Sequence, residues 1–445
     1  MADEHETDVV VVGGGLAGLL VAEATARAGR RVVVLERSHA PGGRARTQPR
    51  GQHAFNFGPH ALYLEGPLHR ALRHARVPTE GAPPPLRGAA ALFADGRVDA
   101  LPVHFGGVLR AAWFGARDAA ELVSALRSVQ RRLTAPRASQ LSTLPAAAWL
   151  DDLATRAPVR ALLATLLRLA TYGGDVQQLS ADVAQLQLAA SLRHGVRYVH
   201  GGWQTLVDGL LAQLTRRGGQ LAHARAHALE LGDSAGVARR PWHRVIDAEG
   251  RRYLARDLVL ACSPGVAATL LAGADPGLAA FAARARPVVM RCVDLGVRGS
   301  EGLRFTLGVD VPFYLSPQRD VQGVAPDGHT TVHAGYYLGA DGSSPLPGSG
   351  GEQLDAAIAA ASPGLEERVV ERRVLPRAVV HNALPTWSTG GLRGRPACAS
   401  SVPGVWFAGD WVGPTGYLAD AAAASALDVA SGIARDGEGG LRCAS

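Results

Sequence analysis

The chain of 445 residues contains no lysine, so the 46 residues counted as lysine plus arginine are all arginines. A Schiff base, a P-loop lysine and a catalytic lysine are therefore excluded. The formal net charge is +7, but the arginines are scattered and form no basic run with interleaved aromatic residues. We therefore expect no nucleic-acid partner, although such a charge is compatible with anionic lipid.

Cysteine is scarce, and its spacing indicates no metal. Cys262, Cys292, Cys398 and Cys443 form no CxxC pair and no metal-ligand pattern, so we predict no metal site and a reducing compartment. Apolar runs long enough to span a bilayer are also missing. The opening MADEHETD has no signal-peptide pattern, and a cytoplasmic location is the resulting expectation.

A glycine-rich turn follows the first apolar run. Residues 9–12 are all valine, as expected of a buried parallel strand, and Gly13, Gly15 and Gly18 then satisfy the G-x-G-x-x-G spacing. Gly13 permits a tight turn, Gly15 lets the backbone approach a pyrophosphate, and Gly18 lets the helix pack closely on the strand. The pattern predicts a dinucleotide site.

The next residues complete a βαβ unit. Residues 16–28 predict a helix whose free N-terminal N–H groups favour phosphate. Residues 32–35 predict the second strand, and Glu36 ends it at the position where a carboxylate binds ribose hydroxyls. Because a carboxylate disfavours a 2′-phosphate, we do not expect NADP at this site.

A second glycine pair favours flavin over nicotinamide. Gly42, Gly43 and Arg44 open the segment GGRART, which resembles the GG-R-x-x-(S/T) doublet of flavin amine oxidases, protoporphyrinogen oxidases and phytoene desaturases. Two glycines allow close approach of the backbone, and a guanidinium neutralises pyrophosphate.

The segment GVWFAGDWVGPTGYLADAA, which begins at Gly404, resembles the closing flavin segment of the same proteins. Residues 405–408 predict a short strand that ends at Gly409 and Asp410, and a helix begins near Leu418. The resemblance implies that Asp410 holds the ribityl–phosphate part of FAD. A helix N-terminus beneath the flavin C2 carbonyl would stabilise negative charge on the reduced ring.

The whole chain resembles FAD-dependent oxidoreductases of the phytoene desaturase and protoporphyrinogen oxidase type, because GGGLAGL, GGRART, FNFGPHAL, YVHGGWQTL and VWFAGDWVGPTGYLADAA occur in family order. The absence of lysine favours desaturases over amine oxidases, many of which place a lysine beside the flavin. The resemblance implies noncovalent FAD in contact with Gly13, Gly15, Leu16, Ala17, Gly18, Glu36, Arg37, Gly42, Gly43, Arg44, Gly58, Pro59, Gly409, Asp410, Gly416, Tyr417, Leu418 and Ala419.

The implied fold class is α/β (α+β overall), with a Rossmann-type FAD-binding domain and a mixed-sheet and helical substrate domain. Helical patterns over residues 106–133 and 145–193, and strand alternation over residues 287–340, interrupt the Rossmann pattern. We therefore predict a discontinuous FAD-binding domain. Its parts are residues 1–85, 198–275 and 386–445, with residues 86–197 as a helical cap region and residues 276–385 as a substrate-domain sheet.

The implied reaction is hydride transfer from a C–H bond of a hydrophobic small molecule, isoprenoid- or carotenoid-like, to flavin N5. The protein then has to hold that carbon about 3–3.5 Å from N5 and exclude water. His60 follows Gly58 and Pro59 and is expected near the flavin, as a base, as a group that positions substrate, or as a structural histidine. Tyr63 and His381 are further catalytic candidates.

Other functions and partners stay open at this point. An isomerase or mutase would use FAD without net redox change, and lipid-binding chaperones of the GDP-dissociation-inhibitor type share the architecture without flavin. Glu36, Arg44 and Asp410 argue against the latter. Oxygen and quinone are both candidate electron acceptors, whereas the lack of a second GxGxxG motif disfavours nicotinamide. An arginine-edged amphipathic helix within residues 106–133 is compatible with peripheral membrane contact.

Overall fold

The computed structural model describes residues 4–131, 134–232, 240–339, 341, 343 and 350–439, so that Cys443 lies outside the described residues. The strands are β1 (Glu4–Glu6), β2 (Val9–Val12), β3 (Val32–Glu36), β4 (Thr47–Arg50), β5 (His53–Asn56), β6 (Leu62–Tyr63), β7 (Gly81–Ala82), β8 (Ala90–Leu92), β9 (Val98–Ala100), β10 (Val196–Val199), β11 (Gln220–His223), β12 (Ala226–Glu230), β13 (His243–Asp247), β14 (Arg252–Ala255), β15 (Asp257–Leu260), β16 (Val288–Arg298), β17 (Thr306–Gly308), β18 (Phe313–Pro317), β19 (His329–Leu338), β20 (Val369–His381) and β21 (Val405–Phe407).

The α-helices are α1 (Leu16–Arg27), α2 (Pro67–His74), α3 (Phe105–Arg110), α4 (Ala116–Val129), α5 (Ala135–Ser142), α6 (Ala146–Leu153), α7 (Ala157–Thr171), α8 (Ala181–Arg193), α9 (Gln204–Arg216), α10 (Pro264–Leu271), α11 (Pro276–Arg284), α12 (Gly350–Ala361) and α13 (Leu418–Gly439). None of these described helices is both long and apolar enough to cross a bilayer.

A five-stranded parallel sheet, in the order β11-β3-β2-β15-β21, forms the centre of one half of the molecule. Strands β2, β3 and β15 are buried along their whole length, which is why they are nearly unbroken apolar runs. Helices α1, α9 and α13 cover one face, and α10 and α11 cover the other. The sheet takes its strands from residues 9–36, 220–260 and 405–407, although the exact domain boundaries stay a prediction.

A seven-stranded sheet, in the order β20-β16-β19-β18-β17-β8-β9, forms the second half. Its pairs are antiparallel except for β17 with β8. The helices α4 to α8 pack on one face and α12 on the other. Strands β16 to β19 confirm the alternation predicted for residues 287–340.

The helical block, which consists of α3 to α8, contains more and shorter helices than its sequence pattern predicts. Within residues 106–133 the chain forms two helices, α3 and α4, because Ala111 is extended and Gly115 starts a new helix. The Gly115 N–H donates to the Asp118 carboxylate at 2.7 Å, which caps this start. Residues 132 and 133 lie outside the described residues.

The pattern over residues 145–193 likewise divides into α6, α7 and α8. Proline lies in the first turn of α7, where its missing N–H costs no hydrogen bond. Tyr172 then ends α7 in a left-handed conformation with φ +53°. Strands β8 and β9 pair antiparallel around a turn at Asp95 and Gly96.

Candidate active site

A continuous groove of about 990 Å³ runs past the carboxyl ends of β2, β3, β15 and β21. Parallel sheets of this kind bind ligands at those ends. Most of the predicted cofactor residues line the groove: Gly13, Gly15, Leu16, Ala17, Glu36, Arg37, Gly42, Gly43, Arg44, Pro59, Gly409, Asp410, Tyr417, Leu418 and Ala419. Ala226, at the start of β12, also lies on its wall.

The turn between β2 and α1 is shaped by its glycines. Gly13 has φ +112°, and a Cβ there would lie 2.6 Å from the Ala261 carbonyl oxygen. A Cβ on Gly18 would overlap the Gly13 carbonyl, so the helix packs directly on the turn. Gly15, in contrast, has open space in the Cβ direction, and α1 has no side-chain cap. The first N–H groups of α1 are therefore available to a phosphate.

Glu36 ends β3 with its carboxylate held against the glycine turn. Oε2 accepts the Gly14 N–H at 2.8 Å, and Oε1 accepts the Ser38 N–H at 2.8 Å. These bonds fix the side chain at the groove wall. A carboxylate has about four acceptor positions, so both oxygens can still accept ribose hydroxyls.

Arg44 and Asp410 meet across the groove. Arg44 Nη1 donates to Asp410 Oδ2 at 2.7 Å and to the Val380 carbonyl at 2.9 Å. Burial opposes ionisation of Asp410, but the Arg44 guanidinium outweighs it and holds the pKa of this carboxyl well below its usual range. Gly42 and Gly43, with φ +111° and +55°, turn the backbone that carries Arg44. One ion pair thus joins the opening and closing motifs.

Two side chains that support Asp410 were not found from the sequence. Asn382 donates to the Asp410 carboxylate from its backbone N–H at 3.1 Å and from Nδ2 at 2.8 Å. Buried Arg395 donates to the carbonyls of Asp410 and Gly416, each at 2.9 Å, and burial lowers its pKa to about 10. No local motif marks either residue, because only the tertiary fold brings them to Asp410.

The groove carries an excess of positive charge. Five arginines line it against three acidic side chains: Arg37, Arg44, Arg46, Arg225 and Arg377 against Glu36, Asp410 and Asp420. A ligand with two phosphate charges would balance this difference.

His60 lies on the groove wall directly after Pro59. Its Nδ1 is 2.9 Å from the Gly58 carbonyl oxygen, so Nδ1 carries the proton and Nε2 keeps its lone pair. The ring packs edge-on against Trp203, with 4.6 Å between ring centroids. Burial lowers the pKa of His60 to about 4, so the imidazole is neutral at neutral pH. In the tautomer that the Gly58 contact favours, Nε2 is the acceptor nitrogen.

Tyrosine is concentrated near this part of the wall, where Tyr63 and Tyr417 were predicted site residues and Tyr172 was not. Tyr63, Tyr172 and Tyr417 line the groove. The ring of Tyr314 lies 6.3 Å from that of Tyr172 and 6.4 Å from that of Tyr337, between centroids. The Tyr63 hydroxyl donates to the Ala170 carbonyl at 3.1 Å, and burial raises its pKa to about 12. Tyr63 therefore stays protonated.

His381 lies behind the groove wall. It is fully buried and stacks on Tyr417, with 4.4 Å between ring centroids. Its Nδ1 accepts the Ala383 N–H at 3.2 Å and is 3.9 Å from Asp410 Oδ2, and burial lowers its pKa to about 4. This packing favours a role in positioning Tyr417 and Asp410 over direct contact with a substrate.

The turn before α13 brings backbone to the groove. Gly416 has φ +74° and Leu418 has φ +52°, which directs the start of the helix at the groove. The Tyr417 hydroxyl donates to the Thr171 carbonyl at 3.3 Å and fixes this turn to the helical block. Among the described residues, no group of three or more histidine, cysteine, aspartate and glutamate side chains could hold a metal ion.

Comparison with known proteins first identifies the N-terminal segment. The family description of NAD(P)-binding Rossmann-like domains matches residues 11–74. Hydroxyneurosporene desaturase of Rhodobacter capsulatus is 49% identical over 59 residues, which amount to 13% of this chain and 12% of the desaturase. The alignment thus spans about an eighth of that relative.

Solved structures then match nearly the whole chain. An engineered putrescine oxidase, a triple mutant from a redesign of cofactor binding, has a TM-score of 0.72 at 16% identity over 97% of this chain and 99% of its own. A provisionally named protoporphyrinogen oxidase from Exiguobacterium sp. 255-15 has a TM-score of 0.67 at 16% identity over 98% and 99%. The chain therefore has the fold of these oxidoreductases, and the predicted resemblance and α/β fold class are confirmed.

Proposed function

We propose that the protein is an FAD-dependent oxidoreductase, a desaturase, dehydrogenase or oxidase, that takes hydride from a C–H bond of a hydrophobic small molecule. One observation carries the proposal: a single groove joins the glycine turn, the Arg44–Asp410 pair and the wall that carries His60. Noncovalently bound FAD would supply flavin N5 as the hydride acceptor. The electron acceptor that follows is oxygen, a quinone or another oxidant.

Different groove residues suit the different parts of FAD. The uncapped start of α1, with open space at Gly15, suits the pyrophosphate. Glu36 would accept the ribose hydroxyls, and Arg44 would offset phosphate charge. The N-terminus of α13 at Leu418 would stabilise negative charge on the pyrimidine side of the flavin.

The substrate end supports an apolar molecule of the isoprenoid or carotenoid type. Much of the groove wall there is aliphatic or aromatic: Leu62, Tyr63, Tyr172, Leu375, Ala378, Val379, Val380 and Leu418. Such walls exclude water and hold a hydrocarbon by surface burial. His60 adds one neutral acceptor, which would position a substrate or accept a proton without placing a charge beside the hydrocarbon.

The absorption spectrum of the purified protein, before and after denaturation, tests cofactor binding. Flavin bands that shift on release of free FAD would support a noncovalent flavoprotein. A colourless protein that takes up no added FAD would contradict the proposal and favour flavin-free lipid binding.

Anaerobic mixing with hydrophobic isoprenoids tests the redox step separately. Bleaching of the flavin, with a product that has lost two hydrogens, is the expected result. Conversion of substrate without net bleaching, and without change in its mass, would identify an isomerase and contradict the oxidoreductase. Reoxidation with oxygen or with a soluble quinone then identifies the electron acceptor.

A further inference from the structure

Helix α3 carries the most exposed large apolar side chains of the described residues. Phe105 is 80% exposed and Leu109 is 71% exposed, whereas the next, Val123, is 47% exposed. Phe105 and Leu109 are four residues apart and therefore project from one face of the helix. Leu86 on the neighbouring loop is 41% exposed. Soluble proteins normally leave such residues scattered singly.

The charged groups around this face are positive. Arg87 and Arg110 line one surface depression together with Leu109. Asp99, whose Oδ1 accepts the Ala112 N–H just after α3, has a side chain that is only 13% exposed and is paired with Arg97 at 3.2 Å. We call Arg87, Phe105, Leu109 and Arg110 the α3 patch.

Helix α4, which follows α3, also carries exposed positive charge. Arg117 and Arg127 of α4 are exposed. Asp118 is buried in an ion pair with Arg156, and Glu121 accepts backbone and hydroxyl hydrogens from Thr155. The acids of α4 are thus engaged within the protein, and its exposed charges are cationic.

We propose that the α3 patch docks on a membrane surface that contains anionic lipid. Phe105 and Leu109 insert at the boundary between headgroups and acyl chains, and Arg87 and Arg110 bind lipid phosphates. Protruding side chains suit a deformable partner, whereas a protein partner generally buries about 800 Å² per side against a complementary surface. A second copy in a two-fold contact would oppose like charges to each other. This inference does not depend on the proposed function.

Cosedimentation with vesicles tests the docking. We expect the wild-type holoprotein to bind vesicles of phosphatidylcholine and phosphatidylglycerol, more weakly at high salt, and to bind pure phosphatidylcholine weakly or not at all. Phe105→Ser with Leu109→Ser should weaken the binding at least about tenfold. Arg87→Gln with Arg110→Gln should weaken it on the order of tenfold and reduce its dependence on salt.

Matched controls separate the patch from general effects. Leu221→Ser removes an exposed apolar side chain on β11, and Arg298→Gln with Arg304→Gln removes the same charge from another surface. These variants should bind like the wild type, and all variants should keep the wild-type melting temperature.

Two results would overturn the proposal. One is a wild-type protein that binds neither vesicle, or whose binding the controls weaken as much as the patch variants do. The other is a wild-type dimer that becomes monomeric in the Phe105→Ser, Leu109→Ser variant, because the patch would then be an interface between copies of this chain. Neither readout depends on turnover, so failure of the proposed function would leave this test intact.

Discussion

Burial shifts the pKa values of His60 and Tyr63 in opposite directions, and it leaves both side chains neutral. It lowers the pKa of His60 to about 4 and raises that of Tyr63 to about 12, because burial favours the neutral form of each group. Both side chains are therefore uncharged at neutral pH. These two side chains offer hydrogen-bonding atoms without a charge whose hydration a hydrocarbon substrate would have to displace.

His60→Ala should lower turnover about a hundredfold and leave FAD bound, if Nε2 accepts a proton or positions the substrate. Because the pKa of His60 is low, the wild-type rate should not fall from protonation of this group above about pH 5. Steady-state kinetics with a flavin spectrum of each variant measure both effects. His194→Ala, at an exposed position on the C-terminal end of α8, is the control. Unchanged turnover in His60→Ala would assign this histidine a structural role.

Asp410→Asn should weaken FAD binding about tenfold or more, because it leaves Arg44 without its anionic partner. The variant changes the volume little and keeps one oxygen acceptor, so one of the two Asn382 donors also loses its partner. Titration of apoprotein with FAD, followed by flavin fluorescence, gives the dissociation constant. Wild-type affinity in this variant would show that the ion pair is not needed for cofactor binding. Asp428→Asn, an exposed change on α13, should bind FAD normally.

The N-terminal backbone of a helix is the part that we expect to bind the ligand, and single glycines flank α1 at both of its ends. Gly15, the N-cap residue of α1, has φ −78°, which any residue can adopt, and a Cβ there meets open space. Gly29, just past the end of the same helix, has φ +83° and also meets open space. We therefore expect Gly15 to be needed for the approach of a ligand, and Gly29 to be needed for its left-handed backbone conformation.

Gly15→Ala should leave the stability of the apoprotein nearly unchanged and weaken FAD binding at least about tenfold, because its methyl group enters the space for the pyrophosphate. Gly29→Ala should have the opposite profile, with a loss of about 1 kcal/mol in stability and normal FAD affinity. Denaturant unfolding and FAD titration on both variants give the comparison. Equal FAD affinity in Gly15→Ala and wild type would contradict the assignment of the phosphate site.

Helices α2 and α13 are connected by Asp420. Its Oδ1 accepts the Leu68 N–H in the first turn of α2 at 2.9 Å, and burial raises its pKa to about 6. An acid whose folded pKa lies above its unfolded value of about 3.9 binds more protons in the folded state between these two values. Stability therefore falls as pH rises from about 4 through about 6, and then stays level with respect to this group.

Asp420→Asn should remove this dependence, since the amide oxygen can still accept the Leu68 N–H and carries no charge to desolvate. The wild type should lose roughly 2 kcal/mol of unfolding free energy more than the variant between about pH 4 and pH 7. Urea unfolding across this range, with FAD in excess, measures the difference. Parallel pH profiles for the two proteins would contradict the buried, high-pKa assignment. Asp428→Asn serves again as the exposed control on the same helix.

The parallel sheet unites three separated parts of the chain, so the N-terminal motif depends on residues near the other end. β15 lies between β2 and β21, and α13 packs with α1 in one apolar cluster. A chain that ends before β21 would expose both β15 and the inner face of α1 to water.

Deletion of residues 404–445 should therefore abolish FAD binding and the cooperative melting of the parallel-sheet half. Deletion of residues 440–445 alone, which lie beyond α13 as described, should preserve both. Circular dichroism melts, with limited proteolysis to locate the surviving part, check this. A stable, FAD-binding product of the longer deletion would mean that the N-terminal segments fold independently of the closing strand and helix.

The local motifs predicted much of the nucleotide end of the groove. Gly13, Gly15, Glu36 and Arg44 lie on its wall as expected, because the G-x-G-x-x-G turn and its helix form from neighbouring residues whose backbone needs are local. Helix boundaries were predicted less well. α3 ends before Ala111 and α4 begins after Gly115, although the helical pattern of the sequence continues through these residues.

By itself, the sequence determined the strand–glycine–helix unit, the acid at its end and the α/β class, since apolar periodicity and glycine positions depend on near neighbours. Tertiary structure alone decided that Asn382 and Arg395 support Asp410, that His381 lies behind Tyr417, and that tyrosines from distant segments meet. These contacts join residues far apart in the chain, so they depend on how the two sheets and the helical block pack, and no local pattern encodes that packing.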